Sequence, residues 1–197
     1  MTVKTNTGAF AAPADFGGVI RAVLAAEDWN RLHPNLAFAH STGRGRRAHG
    51  EIRFAYGNSV LAKLCRLLMR LPRPGLPTFT ELSITQEGVS EVWLRSFDGL
   101  PVSSTQRPTS VGLTERFRFV EFDMAVRVDD GRLFYESTSM SLRLGFLRAP
   151  IPKLIAAHVI AVETWEGSGT RINVSVLSAN NQLFFSYRGA LDWEEWK

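Results

Sequence analysis

The feature that most constrains the fold is a succession of short alternating runs joined by turn residues, which fills the chain from Thr78 onward. Alternation of apolar and polar residues predicts strands, and the turn residues between the runs predict tight connections between antiparallel neighbours. The predicted strands are residues 51–56, 78–86, 91–97, 102–107, 115–128, 132–142, 158–166, 171–177 and 182–193. Apolar residues change phase along 115–128, which we interpret as a bulge near Val120.

Two helices are predicted before the sheet. The first spans residues 15–29, with Asp15 as N-cap and one apolar face, and the second spans residues 60–71. Because barrel closure removes exposed edges, about eight or nine strands predict a strongly curved sheet or a closed β-barrel. The fold class is therefore α+β, mainly antiparallel β. We predict a disordered lead at residues 1–12 and a single barrel-like domain at residues 13–197.

Charge and cysteine content narrow the setting of the protein. Eight of the basic residues lie between Arg44 and Arg73 against the single acid Glu51, so the basicity belongs to one segment. The single cysteine, Cys65, allows no internal disulfide, which predicts a cytoplasmic location. No run approaches the roughly 20 apolar residues of a membrane-spanning helix.

Charged and aromatic residues share a strand face at 91–97, where period two aligns Trp93, Arg95 and Phe97. If that face is interior, the cation of Arg95 needs a carboxylate partner, because an unpaired charge is costly to bury. Glu115 and Glu136 lie on neighbouring predicted strands, so Arg95, Glu115 and Glu136 are the predicted catalytic residues. The predicted substrate-binding walls are Trp93, Phe97, Phe119, Tyr135 and Tyr187. The alternative interpretation is a surface stripe or a structural ion pair.

Other catalytic signatures are missing from the sequence. No spacing of His, Cys, Asp and Glu resembles a zinc site, and we predict no metal and no cofactor. There is no Gly-x-Ser-x-Gly nucleophile elbow, and the glycine- and arginine-rich segment 41–50 lacks the context of a phosphate-binding loop.

A basic helix side suggests possible partners. Lys63, Arg66 and Arg70 recur at spacings that place them together on helix 60–71, which fits an anionic membrane surface or an acidic partner. A solvated helix face is the simpler interpretation. Nucleic-acid binding is not predicted, because no recognised motif accompanies the charge. The sequence leaves the oligomeric state open.

The order of short motifs resembles that of a known family. Leu32-His33-Pro34 is followed by Trp93-Leu94-Arg95-Ser96-Phe97, by Leu113-Thr114-Glu115-Arg116-Phe117 and by Phe185-Ser186-Tyr187-Arg188-Gly189. Together they resemble a bacterial family of domains of unknown function, number four-one-six-six, over roughly residues 31–193. Its members occur alone or fused to saccharopine-dehydrogenase-like Rossmann modules, and often have glycine where this chain has Arg118. The resemblance implies no known activity.

These observations lead to two main hypotheses. The first is a cofactor-independent cyclase or isomerase that acts on an apolar small molecule in a bacterial biosynthetic pathway. The second is a non-catalytic lipid or isoprenoid binding module that docks through the basic helix. A third possibility is an interaction domain with a solid core.

Overall fold

The computed structural model describes residues 17–41, 45–69 and 71–194. The predicted lead at residues 1–12, the predicted helix cap Asp15 and the basic residue Arg70 lie outside these ranges. The helices are α1 Val19–Val23, α2 Ala26–Arg31, α3 Pro34–Ala39 and α4 Val60–Met69. The strands are β1 Arg46–Tyr56, β2 Pro77–Glu87, β3 Ser90–Phe97, β4 Leu100–Thr109, β5 Gly112–Phe117, β6 Val120–Asp129, β7 Arg132–Leu144, β8 Leu147–Pro150, β9 His158–Glu166, β10 Gly169–Leu177 and β11 Leu183–Trp193.

Ten of the described strands form a closed antiparallel barrel. They follow the order β6-β5-β4-β3-β2-β1-β11-β10-β9-β7, and the pairing of β6 with β7 completes the ring. The short strand β8 pairs only with the last residues of β7. The predicted fold class and closure are confirmed. A barrel of ten strands is wider than one of eight, whose interior can just be filled by side chains.

The described residues form eleven strands instead of the nine predicted, because one predicted strand is a hairpin and because the short strand β8 was not predicted. Residues 115–128 fold as β5 and β6, and the turn between them contains Arg118 with a φ of 51°. The phase change that we interpreted as a bulge near Val120 is therefore a chain reversal. A bulge does occur further along β6, between Asp123 and Met124, in its pairing with β7.

Two other predicted boundaries were wrong. β1 begins at Arg46 instead of residue 51, because Arg46 and Ala48 already alternate inward opposite Ile84 and Leu82 of β2. The single helix predicted at residues 15–29 is interrupted at Leu24, whose backbone is extended. This change of direction allows Leu24 to be buried together with residues of α1 and α3.

The antiparallel topology gives the barrel two distinct ends. Helices α1 to α3 lie at one end, where the His33 amide donates to Gly131 O in the β6–β7 turn at 3.0 Å and the His33 ring stacks on Trp165. We call this the N-terminal-helix end. Helix α4 follows the last residue of β1 and lies at the opposite end, which we call the α4 end.

Two apolar clusters fill the two halves of the molecule. Cluster one joins Val19, Ile20 and Leu36 of the N-terminal helices to inner residues of β5 to β7 such as Leu113 and Leu133. Cluster two consists of inner residues of β1, β2, β3 and β11: Ala48, Ile52, Phe54, Leu82, Ile84, Trp93, Phe97 and Leu191. The buried charged groups belong to neither cluster, and they define the candidate site.

Candidate functional site

An arginine, a serine and a glutamate meet on the inner face of β3 to β5, and we call them the Arg95 cluster. Cross-strand pairing places Trp93 opposite Ser104 and Gln106 opposite Glu115, so these side chains share the interior face. Arg95 NH1 donates to Ser104 Oγ at 2.8 Å, and Ser104 Oγ donates to Glu115 Oε1 at 2.7 Å. Arg95 NH2 also approaches Glu115 Oε1 at 3.5 Å. The predicted partnership of Arg95 and Glu115 is therefore present in the structure, with a hydroxyl bridging the two groups.

Aromatic rings enclose the guanidinium of Arg95. It lies 5.1 Å from the centroid of the Trp93 ring and 5.9 Å from that of Phe117. Burial raises the pKa of nearby Tyr187 to about 12. The positive charge of Arg95 opposes this increase, and the negative charge of Glu115 adds to it. A cation held against π faces in a desolvated setting attracts developing negative charge strongly.

A second buried ion pair, Arg46–Glu91, joins the barrel to the N-terminal helices. Arg46 NH2 donates to Glu91 Oε1 at 2.9 Å, and Arg46 NH1 donates to the carbonyl of Ala39. Glu91 also accepts from the Val19 amide and from Trp93 Nε1, each at 3.2 Å. Burial lowers the pKa of Arg46, although the charge of Glu91 opposes this effect. Since both partners bond the backbone or side chains of several elements, this pair is a structural connection.

A third group of buried polar residues lies between α3, β7 and β9. His40 Nε2 is 2.7 Å from Glu163 Oε2, and the His40 side chain is fully buried. Burial raises the pKa of Tyr135 well above its ordinary value, and the negative charges of Glu163, Glu115 and Glu91 add to the effect. Glu115 and Glu163 also raise the pKa of Tyr187, so these carboxylates act on tyrosines of both clusters, Tyr135 of cluster one and Tyr187 beside cluster two.

Two buried polar atoms near these groups lack hydrogen-bond partners among the described residues. They are His40 Nδ1 and Gln106 Oε1. Gln106 pairs across strands with both Glu91 and Glu115, which places its amide between two of the buried carboxylates. Because buried polar groups are normally hydrogen-bonded, two unpartnered atoms in one interior indicate a place for a polar ligand or for water.

Two of the predicted site residues lie away from the interior. Glu136 is on the outer face of β7, where its exposed carboxylate is 3.3 Å from His158 Nε2. Its neighbour Tyr135 faces inward, and adjacent strand residues face opposite sides. Phe119 lies in the β5–β6 turn at the α4 end and is 42% exposed. The other predicted wall residues, Trp93, Phe97, Tyr135 and Tyr187, face the interior.

Sequence reasoning missed five interior polar residues: Arg46, His40, Glu91, Ser104 and Glu163. Glu91 could have been found, because period two on the run 91–97 aligns it with Trp93 and Arg95. Arg46 was assigned to a loop, and nothing in the sequence links His40 to Glu163. Among the described residues, no group of three or more His, Cys, Asp or Glu side chains is arranged to hold a metal ion.

A separate polar cleft lies on the outside of β3 to β6. Its volume is about 160 Å³, and it is lined by Ser90, Thr105, Arg107, Thr114, Arg116 and Glu121. It contains none of the predicted site residues. Its one carboxylate, Glu121, is bound by Arg143 at 3.3 Å and by Arg148 at 2.8 Å. With its acid already neutralised, this cleft offers no base, and the interior remains the stronger candidate for chemistry.

The fold and the interior define the class of protein: a closed antiparallel β-barrel whose inner face carries charged residues among aromatic rings. Residues 32–191 match the model of the family described as Domain of unknown function (DUF4166), and the chain belongs to this family. The family resemblance predicted from the motif order is thus confirmed. No curated protein matches the chain. Of the helices in the described residues, none has the length and apolar character needed to cross a bilayer.

Proposed function

We propose that the protein binds an apolar small molecule with a polar group inside the barrel and rearranges it as a cofactor-independent isomerase or cyclase. The observation that carries this proposal is the Arg95 cluster: a buried cation and carboxylate joined through one hydroxyl. Both contacts to the carboxylate engage Glu115 Oε1, so within the described part of the chain Oε2 stays available to a ligand. Arg95 uses only two of the five N–H donors of a guanidinium on these partners.

The chemistry follows from the two charged groups. Glu115 accepts a proton from one carbon of the substrate and returns it to another, so the reaction needs no oxidant and no second substrate. Arg95 stabilises the negative charge that develops on a neighbouring oxygen of the substrate, in a setting where water is largely excluded. Trp93, Phe117 and Tyr187 form the walls that hold the apolar part of the molecule. The proposal assigns no role to Glu136 or Phe119, because neither faces the interior.

The first test is native mass spectrometry of the protein purified from its own host. We expect a retained small molecule in the wild type, and its loss in Arg95→Met and Glu115→Gln. Glu136→Gln is the matched control, since it removes a charge from the outer face of the same barrel and should leave the molecule bound. Turnover of the retained molecule should fall by about 100-fold or more in Glu115→Gln, the usual contribution of a general base. Retention and turnover that are unchanged in both interior variants would contradict the proposal.

A second candidate function is a non-catalytic carrier of a lipid or isoprenoid. The observation in its favour is helix α4, which combines Lys63 and Arg66 with exposed apolar side chains. A retained molecule that binds tightly but is never converted, in wild type and variants alike, would favour the carrier. The cytoplasmic location expected from the single cysteine stays a prediction under either function.

A further inference from the structure

The exposed apolar residues of this protein are concentrated at the α4 end of the barrel. The apolar residues of helix α4 mostly face outward: Val60 is 80% exposed, Leu61 61% and Leu67 73%. Its one fully buried described side chain is Ala62. A helix that leaves leucines exposed in this way lacks a partner for its apolar face.

The hairpin of β7 and β8 and the segment after it form a second apolar patch. Phe146, at the tip of the hairpin, is 90% exposed, and Leu144 and Leu147 beside it are 68% and 61% exposed. In the following segment, Leu154 is 87% exposed and Ile155 73%. β7 runs in the same direction as β1, so the hairpin tip projects from the same end of the barrel as α4.

The opposite end of the barrel differs. There the large exposed apolar residues of the described chain are Phe38, at 65%, and Val111, at 84%, which are isolated from each other in sequence and element. Scattered single residues of this kind are normal on protein surfaces. Two patches of several exposed apolar residues at one end are unusual, and such patches mark an interaction surface.

The two patches lie on different sides of the α4 end. α4 contacts β11, whereas the hairpin extends from β7, and β10 and β9 lie between these strands in the ring. A planar surface can contact both patches at once, whereas a small globular partner would cover one of them. The separation of the patches therefore favours a flat occupant.

The charges at this end indicate the chemistry of that surface. Among the described residues, the helix, turns and loops there carry Lys63, Arg66, Arg73, Arg118 and Lys153 and the single acid Asp98. Protein–protein interface cores are depleted of lysine, whereas interfacial membrane surfaces combine Lys and Arg with Leu and Phe. We propose that the α4 end docks on an anionic lipid surface, with Phe146 and the leucines inserted and the cations among the headgroups.

This inference goes beyond the proposed function, because it concerns the outer surface and holds whether the interior converts its ligand or only carries it. It can be tested by flotation of the full-length protein with vesicles of phosphatidylcholine, with and without phosphatidylserine. We expect binding to the anionic vesicles, weakened by added salt because the ionic contribution is screened. The double variant Phe146→Ser/Leu154→Ser should lose about tenfold or more of the bound fraction, since the two side chains bury apolar area in the bilayer.

The matched control is Phe38→Ser/Val111→Ser, which removes apolar side chains of similar exposure from the opposite end. It should bind anionic vesicles as the wild type does. All four side chains are largely exposed, so circular dichroism should show both variants folded. Equal loss in the control, or no binding by the wild type, would overturn the proposal. A dimer seen by light scattering that dissociates in Phe146→Ser/Leu154→Ser, without vesicle binding, would assign the surface to a second copy instead.

Discussion

The two buried arginine–glutamate pairs of this barrel resemble each other in composition and differ in what surrounds them. Arg46 and Glu91 are 2.9 Å apart and also bond the Val19 amide, the Ala39 carbonyl and Trp93. Arg95 and Glu115 are 3.5 Å apart, and the described residues that hydrogen-bond them are only each other and Ser104.

This difference separates a structural charge from an available one. The first pair joins β1 and β3 to α1 and α3, and both carboxylate oxygens of Glu91 already accept hydrogen bonds from the protein itself. The second pair lies on β3 and β5, on either side of β4, is partly accessible, and keeps unused donors and acceptors beside aromatic walls. A buried ion pair is weak support for stability in itself, so the bonding around it decides which role it has.

The largest expected effect is on stability when each glutamate loses its charge. Glu91→Gln leaves Arg46 buried without a counter-charge and should cost about 3–5 kcal/mol in the free energy of unfolding. Glu115→Gln keeps its contact with Ser104 and should cost about 1–3 kcal/mol. Urea unfolding followed by tryptophan fluorescence measures both, with Glu136→Gln as an exposed control expected to change stability by less than about 0.5 kcal/mol. Equal losses in the two interior variants would erase the distinction between the pairs.

A smaller effect is expected on the pH dependence of stability, through the three tyrosines of the chain. Burial raises the pKa of Tyr56 to about 12 and that of Tyr187 to about 12, and raises that of Tyr135 well above its ordinary value. A raised tyrosine pKa favours the neutral form in the folded state. The resulting stabilisation is complete below the unfolded pKa of about 10 and is lost as the pH rises through the folded values.

Titration of the ultraviolet absorbance of tyrosinate should therefore show no ionisation near pH 10 in the folded protein. In urea, all three should ionise near pH 10. Because Arg95 opposes the increase in the pKa of Tyr187, Arg95→Met should move the ionisation of that residue to still higher pH. A tyrosine that ionises at its ordinary pKa in the folded wild type would show that the interior is open to bulk water.

The smallest effect on the free energy of unfolding is expected for Asp123, on the outer face of the barrel. Its carboxylate accepts hydrogen bonds from Ser139 at 2.5 Å, Thr114 at 2.9 Å and Arg148 at 2.8 Å. Burial acts to raise the pKa of Asp123, but these bonds outweigh it and hold the pKa below its ordinary value. Asp123→Asn should cost only about 0.2–1 kcal/mol at neutral pH, as is usual for surface ion pairs.

The pH dependence gives the check on this surface network. A lowered carboxyl pKa contributes stability that is present above the unfolded pKa and is lost as the pH falls through the folded pKa. The difference between Asp123→Asn and the wild type should therefore disappear in acid, as measured by urea unfolding at several pH values. Asp129→Asn, on the same strand, is the control. A loss for Asp123→Asn as large as that for Glu91→Gln would show that the outer network, too, is structural.

Local pattern predicted part of the site and failed at identifiable residues. Arg95, Trp93 and Phe97 were placed on one face by period two, and the barrel turns that face inward. Tyr135 and Glu136 were both predicted to face the site, which adjacent residues of one strand cannot do. The bulge between Asp123 and Met124 shifts the register between β6 and β7. The inward-facing side chains of β7 therefore alternate in one phase before the bulge and in the opposite phase after it.

The sequence alone determined the antiparallel strands, the family membership and the common face of Trp93, Arg95 and Phe97, because alternation, turn chemistry and short motifs act over a few residues. Tertiary structure alone decided that this face turns inward, that β1 pairs with β11 in the ring, that His40 is buried against Glu163 and that the apolar face of α4 is exposed. His40 and Glu163 are 123 positions apart, and Arg46 and Glu91 are 45 apart. Contacts over such separations depend on strand register and barrel closure, which no local pattern encodes.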